Sequence, residues 1–577
     1  MTVLEKSAGN SADAEYLRRL EDIRAASWPA DMPRAAVYPD GEIPMGDILR
    51  RRAERHPDRI AVSFYGRAYT YADLDRLSEK FANFLVDNGV GPGDRIAVYL
   101  QNCPQFFFVF YGILKLGAVF VPVNPMFREA ELRHELAVSG ARVIVAMDQL
   151  LPYVHAVQAD CPLDLVLSTA LGDLLPDMPD GPLPPVFGEA RADCAGTRDL
   201  MDAIAAGGAT VRTDPVDLDA VAALNFTGGT TGLPKGCTHS QRDMIYTCAT
   251  GGRFSYELDD DAVVLCFVPL FWIAGEGIGL LMPVFFGATL VLQTRWDAKA
   301  FTQAVDRHRV SHVYMMVDNA MEILGDADCA QDDLSTLKFV KTASFVNRIT
   351  PELRDAWTAR TGAPLHEVSW GMTETHTYDF FTSGFQDGNR DLTYDGVFVG
   401  LPVPGTEVKI LDFKTGALMP LGQPGEIVVR SPSVTRTYWS VGGEMEPALD
   451  AEGWFRTGDS GVIHADGTMS YLGRQKEMIK VKGMSVFPSE LEVVLATHPD
   501  VAAVAVVPRP DPVKGQVPVA FVRPIPGSTV TADALAAWSR NQFATYKQPE
   551  FRLISEFPTT FSGKVRKNEL IAKYIDS

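Results

Sequence analysis

NFTGGTTGLPKGCTHS, residues 225–240, is the stretch from which the rest of the chain can be read. It follows a short apolar run, AVAAL (220–224), and packs four glycines and four threonines around a single lysine, Lys235. Backbone amides exposed at Gly228, Gly229 and Gly232, hydroxyls at Thr227, Thr230 and Thr231, and one ammonium are what polyphosphate oxygens need. Pro234 stands where the GxxxxGK[ST] phosphate loop has its last glycine, so the stretch is not that loop. A threonine–glycine run alone would read as a surface loop. TGGTTGLPKG in full is longer and more specific than that.

Upstream of this stretch, helical and strand patterns alternate. YADLDRLSEKFANFLVDNG (71–89) precedes RIAVYL (95–100), and PMFREAELRHELAVSG (125–140) precedes RVIVAM (142–147). Such alternation predicts parallel sheets with helices on both faces. Residues 15–27 read as an amphipathic helix behind a polar tail, and 171–216, rich in Pro, Gly and Asp, as an irregular crossing. A second α/β stretch runs from about 217 to 395. After Gly400 the texture turns to strands and tight turns, in TEVKILD (406–412), GEIVVR (425–430) and GVIHADGTMSYLG (461–473). Near the end, Ser489 with Glu492 fits a capping box opening a helix. Two strands, a helix near 531–543 and a lysine-rich tail follow. The predicted fold is α/β: a large N-terminal domain of two doubly wound subdomains and a small β-rich one over 1–473, a hinge at 474–476, and a small mobile α+β domain over 477–577.

Composition narrows the classes. The chain has 577 residues, 46% apolar and 22% charged, the usage of an ordinary globular protein, and a length of several domains at about 150 residues each. Fifty-three basic against 73 acidic side chains leave a net charge of −20. Such a surface disfavours nucleic acid and anionic lipid, so any phosphate ligand must meet a local site. The seven cysteines show no CxxC or Cys/His zinc spacing, and read as free thiols in a reducing compartment. The charged N-terminus lacks a signal peptide's apolar run, and a cytoplasmic protein is expected. Two apolar stretches, 106–123 and 262–292, carry Lys115 and Glu276 with helix breakers. They read as buried helix–strand pairs, not membrane spans.

Further motifs arrive in a fixed order: SWGMTET (369–375), WFRTGD (454–459), GRQKEMIKVKG (473–483) and TTFSGKVRK (559–567). With TGGTTGLPKG, this set resembles the acyl-CoA synthetase, adenylation-domain and luciferase superfamily over nearly the whole chain. The resemblance implies ATP, magnesium ion and coenzyme A as cofactors and a small carboxylic acid as substrate, joined through an acyl-adenylate. It assigns the β- and γ-phosphates to Thr227, Thr230, Thr231 and Lys235, the metal to Glu374 and the α-phosphate to Thr373. Trp370, beside Gly371, would stack on adenine, Asp459 would hold the ribose hydroxyls, and Arg474 would add a ribose or phosphate contact. Lys564 would be the catalytic lysine of adenylation, working with Thr373 and Glu374. Lys476 would be the hinge, and Gly483 would line the tunnel for the CoA thiol. Apart from this resemblance, Lys564 would read as solvated surface and Lys476 as a linker residue.

The acyl segments depart from the family pattern. PLFWIAG (269–275) has Trp272 where the family has histidine, SFVNR (344–348) has Phe345 and Val346 where it has two glycines, and MVDNAM (316–321) brings Asp318 and Asn319. With Tyr314 these residues form the expected acyl pocket: a filled, short one, with Asp318 or Asn319 available to a substrate hydroxyl. In these features the chain is similar to bacterial ligases of small acids such as 2-hydroxyisobutyrate. The alternatives are transfer of the acyl group to a carrier protein or an amine, or a medium- or long-chain fatty acyl-CoA synthetase. Oligomeric state stays open, a homodimer included. His239 and His312 are given no role, because a carboxylate nucleophile needs no general base; Cys237 reads as a small buried thiol and the Met315–Met316 pair as pocket wall or core.

Overall fold

A computed structural model describes residues 11–211, 214–227, 234–344, 347–443, 445–481, 484–512, 514–540, 542–543, 546–560 and 564–575. Two large sheets form its centre. In one, the strands Val221–Phe226, Val119–Pro122, Arg95–Tyr99, Val143–Met147 and Leu165–Thr169 lie side by side and parallel. In the other, Leu365–Glu367, Phe339–Ala343, His312–Met316, Val263–Cys266, Thr289–Leu292 and Ile60–Phe64 run parallel, closed by an antiparallel edge at Arg67–Thr70. Parallel strands need crossover connections, and the helices that make them cover both faces.

Both membrane-like stretches are such crossovers. The helix Pro104–Leu116 is buried along its whole length and leads into the strand Val119–Pro122. Lys115 is tolerated there because Asp75 and Glu79 meet its ammonium at 2.6 and 3.3 Å. The second stretch supplies two adjacent strands, Val263–Cys266 and Thr289–Leu292, with broken helix between them. Gly275 lies in that break, where a Cβ would stand 1.9 Å from the Pro269 carbonyl oxygen. Among the described residues no helix is long and apolar enough to cross a membrane. All seven cysteines are free thiols.

The β-rich region is a six-stranded antiparallel sheet, including Glu407–Leu411, Gly425–Arg430, Phe455–Ile463 and Met469–Arg474. The N-terminal helix Ser11–Ser27 straps it, with Leu20 in its core and Asp13 paired to Lys409 at 2.6 Å. A five-stranded sheet with its own two apolar clusters forms the C-terminal part. The mixed α/β fold thus has a large N-terminal and a small C-terminal domain.

One local expectation fails. The helix Pro488–Leu495 opens on a proline, and Ser489 does not cap it: its hydroxyl donates to the Leu472 carbonyl. With Pro488 at the first helical position, Ser489 is already the second helical residue and stands inside the helix, not at its cap. Glu492 looks outward too, accepting from the Val506 amide at 2.7 Å and pairing with Lys567 at 2.8 Å.

Candidate active site

The glycine-rich stretch leaves the strand Val221–Phe226 and returns as the antiparallel strand Gly236–Ser240. Its base is closed by Thr227, whose amide donates to the Lys235 carbonyl at 2.9 Å while its hydroxyl accepts from the Lys235 amide at 3.2 Å. Lys235 itself is exposed. Gly228, Gly229, Thr230, Thr231 and Gly232, expected on the phosphates, lie outside the described residues.

SWGMTET sits across from this base. His239, on the returning strand, places its Nε2 2.7 Å from the Thr373 carbonyl and so ties the two motifs together. Thr373–Thr375 form one 3-10 turn, with Thr373 and Glu374 half-buried. The next three residues, His376, Thr377 and Tyr378, all have left-handed backbones, with φ of 57°, 57° and 59°. Each such residue costs on the order of 1–3 kcal/mol and persists only where its surroundings impose it. Here they do. His376 Nδ1 meets the Thr247 hydroxyl at 2.9 Å, and the Tyr378 hydroxyl donates to the Ala274 carbonyl at 3.1 Å. Gly371 permits the tight return, since a Cβ there would lie 2.6 Å from the Thr377 Cα.

Asp459 marks the other side. It faces Arg474 across a two-strand register, and the Arg474 Nε stands 2.8 Å from its Oδ1. The Trp370 indole N–H donates to its Oδ2 at 3.1 Å. Burial pushes the Asp459 carboxyl up to about 6, against the opposing pull of Arg474, Trp370 and Lys564. Burial also raises the Glu374 carboxyl, with Arg474 and His239 pulling it back. Part of the Lys564 side chain keeps solvent contact. Protein crowding around its ammonium and the nearby Arg474 nonetheless lower its pKa, while Asp459 and Glu477 act to raise it. Trp370 and Arg474 thus both contact Asp459, and the charges of Glu374 and Lys564 are felt by the same Arg474.

Lys476 occupies the 3-10 turn Gln475–Glu477 between the antiparallel sheet and the C-terminal strands. Gly483 lies outside the described residues.

The acyl residues are less uniform. Trp272 is half-buried and packs its ring edge-on to Phe271 at 6.2 Å. Tyr314 is buried. Asp318 accepts from the Asn347 side chain at 2.5 Å, and Asn319 accepts from the Met316 amide at 2.8 Å, capping the helix Val317–Gly325. One Asp318 oxygen and the Asn319 carbonyl oxygen thus hold protein partners. Phe345 and Val346 lie outside the described residues. Sequence reasoning missed Tyr378, whose side chain fills space that a Cβ at Gly251 or Gly277 would enter, at 2.7 Å from its Cβ and from its ring respectively. Two residues given no role or a lesser one also matter: Glu276, fully buried, takes the Asn225 amide at 2.7 Å, and His376 Nε2 stands 3.4 Å from its other oxygen. Adjacency to Thr373–Glu374 was the available signal for His376 and Tyr378. His312 stays neutral, its pKa lowered to about 3 by burial, and carries no role.

The geometry agrees with comparisons to known proteins. The family model described as AMP-binding enzyme matches residues 49–439, and that of the AMP-binding enzyme C-terminal domain matches 490–564. The chain belongs to the AMP-binding enzyme family. This AMP-binding enzyme is 30% identical to 4-coumarate–CoA ligase 2 of Oryza sativa subsp. japonica, over 92% of each chain. It is 29% identical to a long-chain-fatty-acid–CoA ligase of Bacillus subtilis (strain 168), over 95% of this chain and 97% of that one. With relatives so named it is an enzyme of the acyl-CoA synthetase kind. Among solved structures, anthranilate CoA ligase AuaEII with anthranoyl-AMP matches with a TM-score of 0.79 and 25% identity, over 94% of this chain and 98% of that one. The amide bond synthetase McbA of Marinactinospora thermotolerans matches with a TM-score of 0.75 and 25% identity, over 92% and 100%.

Among the described residues no group of three or more His, Cys, Asp or Glu side chains could hold a metal. The single carboxylate of Glu374 fits the way magnesium is bound, by one or two carboxylates with the substrate's phosphates supplying further oxygens.

Proposed function

We propose that the protein joins a compact carboxylic acid to coenzyme A in two steps, using ATP. In the first, a carboxylate oxygen bonds to the α-phosphorus, the bond to the β-phosphate bridge breaks, and pyrophosphate leaves. In the second, the CoA sulfur bonds to the acyl carbon, AMP leaves, and the thiol proton passes to solvent. The observation carrying this reading is the Asp459 carboxylate of WFRTGD, buried between the Trp370 indole N–H of SWGMTET and the Arg474 guanidinium.

Each residue has a chemical task. The Lys564 ammonium stabilises negative charge as it gathers on the α-phosphoryl and bridging oxygens, so catalysis is electrostatic and positional. Thr373 meets the α-phosphate, and Thr227 with Lys235 anchors the outer phosphates. Asp459 is a buried carboxylate short of donors, and two ribose hydroxyls relieve its desolvation. Arg474 and the Trp370 N–H hold it in place. Glu374 would hold magnesium, which when bound neutralises phosphate charge. Lys476 would be the pivot that removes Lys564 once the adenylate has formed, bringing the segment with Gly483 to the thiol.

A compact acid is supported by bulk: Tyr378 is buried and bonded to the Ala274 carbonyl, Tyr314 is buried, and Trp272 packs on Phe271. Because Asp318 and Asn319 bond within the protein, size and branching weigh more in the choice of acid than a hydroxyl does. The likeness to an amide bond synthetase favours an amine acceptor as the second reading. Acyl-AMP and thioester formation with C4 branched, C4 hydroxylated, aromatic, C8 and C16 acids, with CoA or an amine as acceptor, tests both. Preference for C16 over every C4–C6 acid would refute the compact pocket, and amide without thioester would favour the second reading.

A further inference from the structure

One buried carboxylate stands where three segments of the site meet. Glu276 follows PLFWIAG directly, and its amide donates to the Trp272 carbonyl at 2.7 Å, so the side chain is tied to the acyl segment. Its Oε2 accepts from the Asn225 side chain at 2.7 Å. Asn225, itself buried, lies on the strand Val221–Phe226, just before Thr227 closes the base of the glycine-rich stretch. The other Glu276 oxygen, Oε1, faces His376 Nε2 at 3.4 Å, and His376 follows closely on Thr373 and Glu374. The Tyr378 hydroxyl, donating to the Ala274 carbonyl at 3.1 Å, ties the acyl segment to this turn a second time.

The turn is braced from its far side too. His376 Nδ1 meets the Thr247 hydroxyl at 2.9 Å, and its ring packs edge-on against His239, 4.8 Å between centroids, while His239 reaches the Thr373 carbonyl. Glu276 and His376 are wholly buried, and His239 nearly so. A carboxylate taken out of water is costly unless its partners stay within reach, so this one resists any slip of one segment against the others. We infer that Glu276 is a positioning residue for adenylation, holding the acyl segment, the strand leading to the phosphate stretch and the Thr373–Glu374 turn in one register. The inference rests on the two-step reaction and the residue roles proposed above. Attack on the α-phosphorus needs acid and nucleotide aligned while they are still separate molecules, and a misplacement of about 1 Å costs on the order of 10² in rate. In the acyl-adenylate the two are already joined, so the thiol step depends far less on that register.

Pyrophosphate release and thioester formation from synthetic acyl-AMP, measured on the full chain well below each variant's thermal midpoint, separate positioning from packing. Glu276→Leu keeps the bulk and loses both contacts. It should lower kcat for pyrophosphate release about 10²-fold, while thioester formation and the KM for ATP and for the acid each change by less than about threefold. Glu276→Gln keeps an oxygen for Asn225 and loses the charge facing His376. It should lower kcat for pyrophosphate release about tenfold, as for one hydrogen bond to a charged group. Being nearly isosteric, it carries the test alone if Glu276→Leu does not fold. Equal losses in the two half-reactions would overturn the inference, since a mere packing defect removes active protein from both. An unchanged kcat for pyrophosphate release would overturn it as well, as would a loss confined to the KM of one substrate. Parent protein that releases no pyrophosphate with any acid would instead overturn the underlying reading.

Discussion

At the nucleotide end of the site, Asp459 is held between the Trp370 indole and the Arg474 guanidinium, at 3.1 and 2.8 Å. At the acyl end, Asp318 and Asn319 spend their polar atoms on Asn347 and on the Met316 amide. The first arrangement fixes a buried charge yet leaves it wanting further donors, and it can reward a ligand that brings them. The second commits one oxygen of each side chain within the protein, and on the proposed function it selects by the space its bulky neighbours leave. On the proposed function, nucleotide recognition is electrostatic and acid recognition steric.

The largest effect expected of this contrast is at Lys564. Lys564→Ala should slow adenylation by about 10²–10³, the worth of one positioned charge-stabilising group. Thioester formation from synthetic acyl-AMP should be largely spared. Pyrophosphate release and acyl-CoA formation, measured separately, check it, and equal losses in both would break the assignment. Next is Asp459→Asn, which removes the acceptor proposed for the ribose. ATP affinity should fall about 10–100-fold, the range for a hydrogen bond to a buried charge. The KM for the acid should stay put. A matching rise in the KM for the acid would mean the two ends are not independent.

Much of this was legible in the sequence, and the physical reasons divide cleanly. Alternating periodicity gave away the parallel sheets, because strands buried on both faces must be apolar and their crossovers helical. GEIVVR forms the strand Gly425–Arg430 as expected. The motifs around Thr373 and Asp459 announced themselves because their local spacing is the chemistry. What stayed hidden depends on partners far away in the chain. Trp370 finds Asp459 across 89 residues, and Asn225 finds Glu276 across 51. Ser489 looked like a cap because its neighbours satisfied a local rule, but its hydroxyl serves Leu472.

A smaller effect sharpens the steric half. Tyr378→Val should raise the ratio of C8 to C4 turnover about tenfold, since one methylene in an apolar pocket is worth about 1–3 kcal/mol. Asp318→Asn should leave the preference for hydroxylated acids unchanged. If Asp318→Asn alters that preference while Tyr378→Val leaves chain length alone, the contrast between the two ends is reversed.

The smallest effect on turnover concerns Lys341, the register partner of Tyr314. It is fully buried, with His366 Nδ1 at 3.2 Å and the Ser383 hydroxyl at 2.9 Å. Burial lowers its pKa to about 7, although Glu257 and Asp391 pull upward. Unfolded, a lysine titrates near 10.4, at about its ordinary value. Between about pH 7 and 10.4 the unfolded chain therefore binds the extra proton, and this group's contribution to stability rises with pH, by at most about 1.4 kcal/mol per unit. Lys341→Met should flatten that part of the denaturation profile. Identical slopes in parent and variant would show that the lysine stays charged when folded.

The central claim, activation of an acid as its adenylate before any thiol takes part, meets its most direct test in a rapid-quench experiment without coenzyme A. Acid, ATP and magnesium should give a burst of pyrophosphate close to one per chain, with acyl-AMP retained on the protein, and later addition of coenzyme A should convert that adenylate to acyl-CoA and AMP. Pyrophosphate that appears only when coenzyme A is present, or ADP and phosphate in its place, would contradict the account.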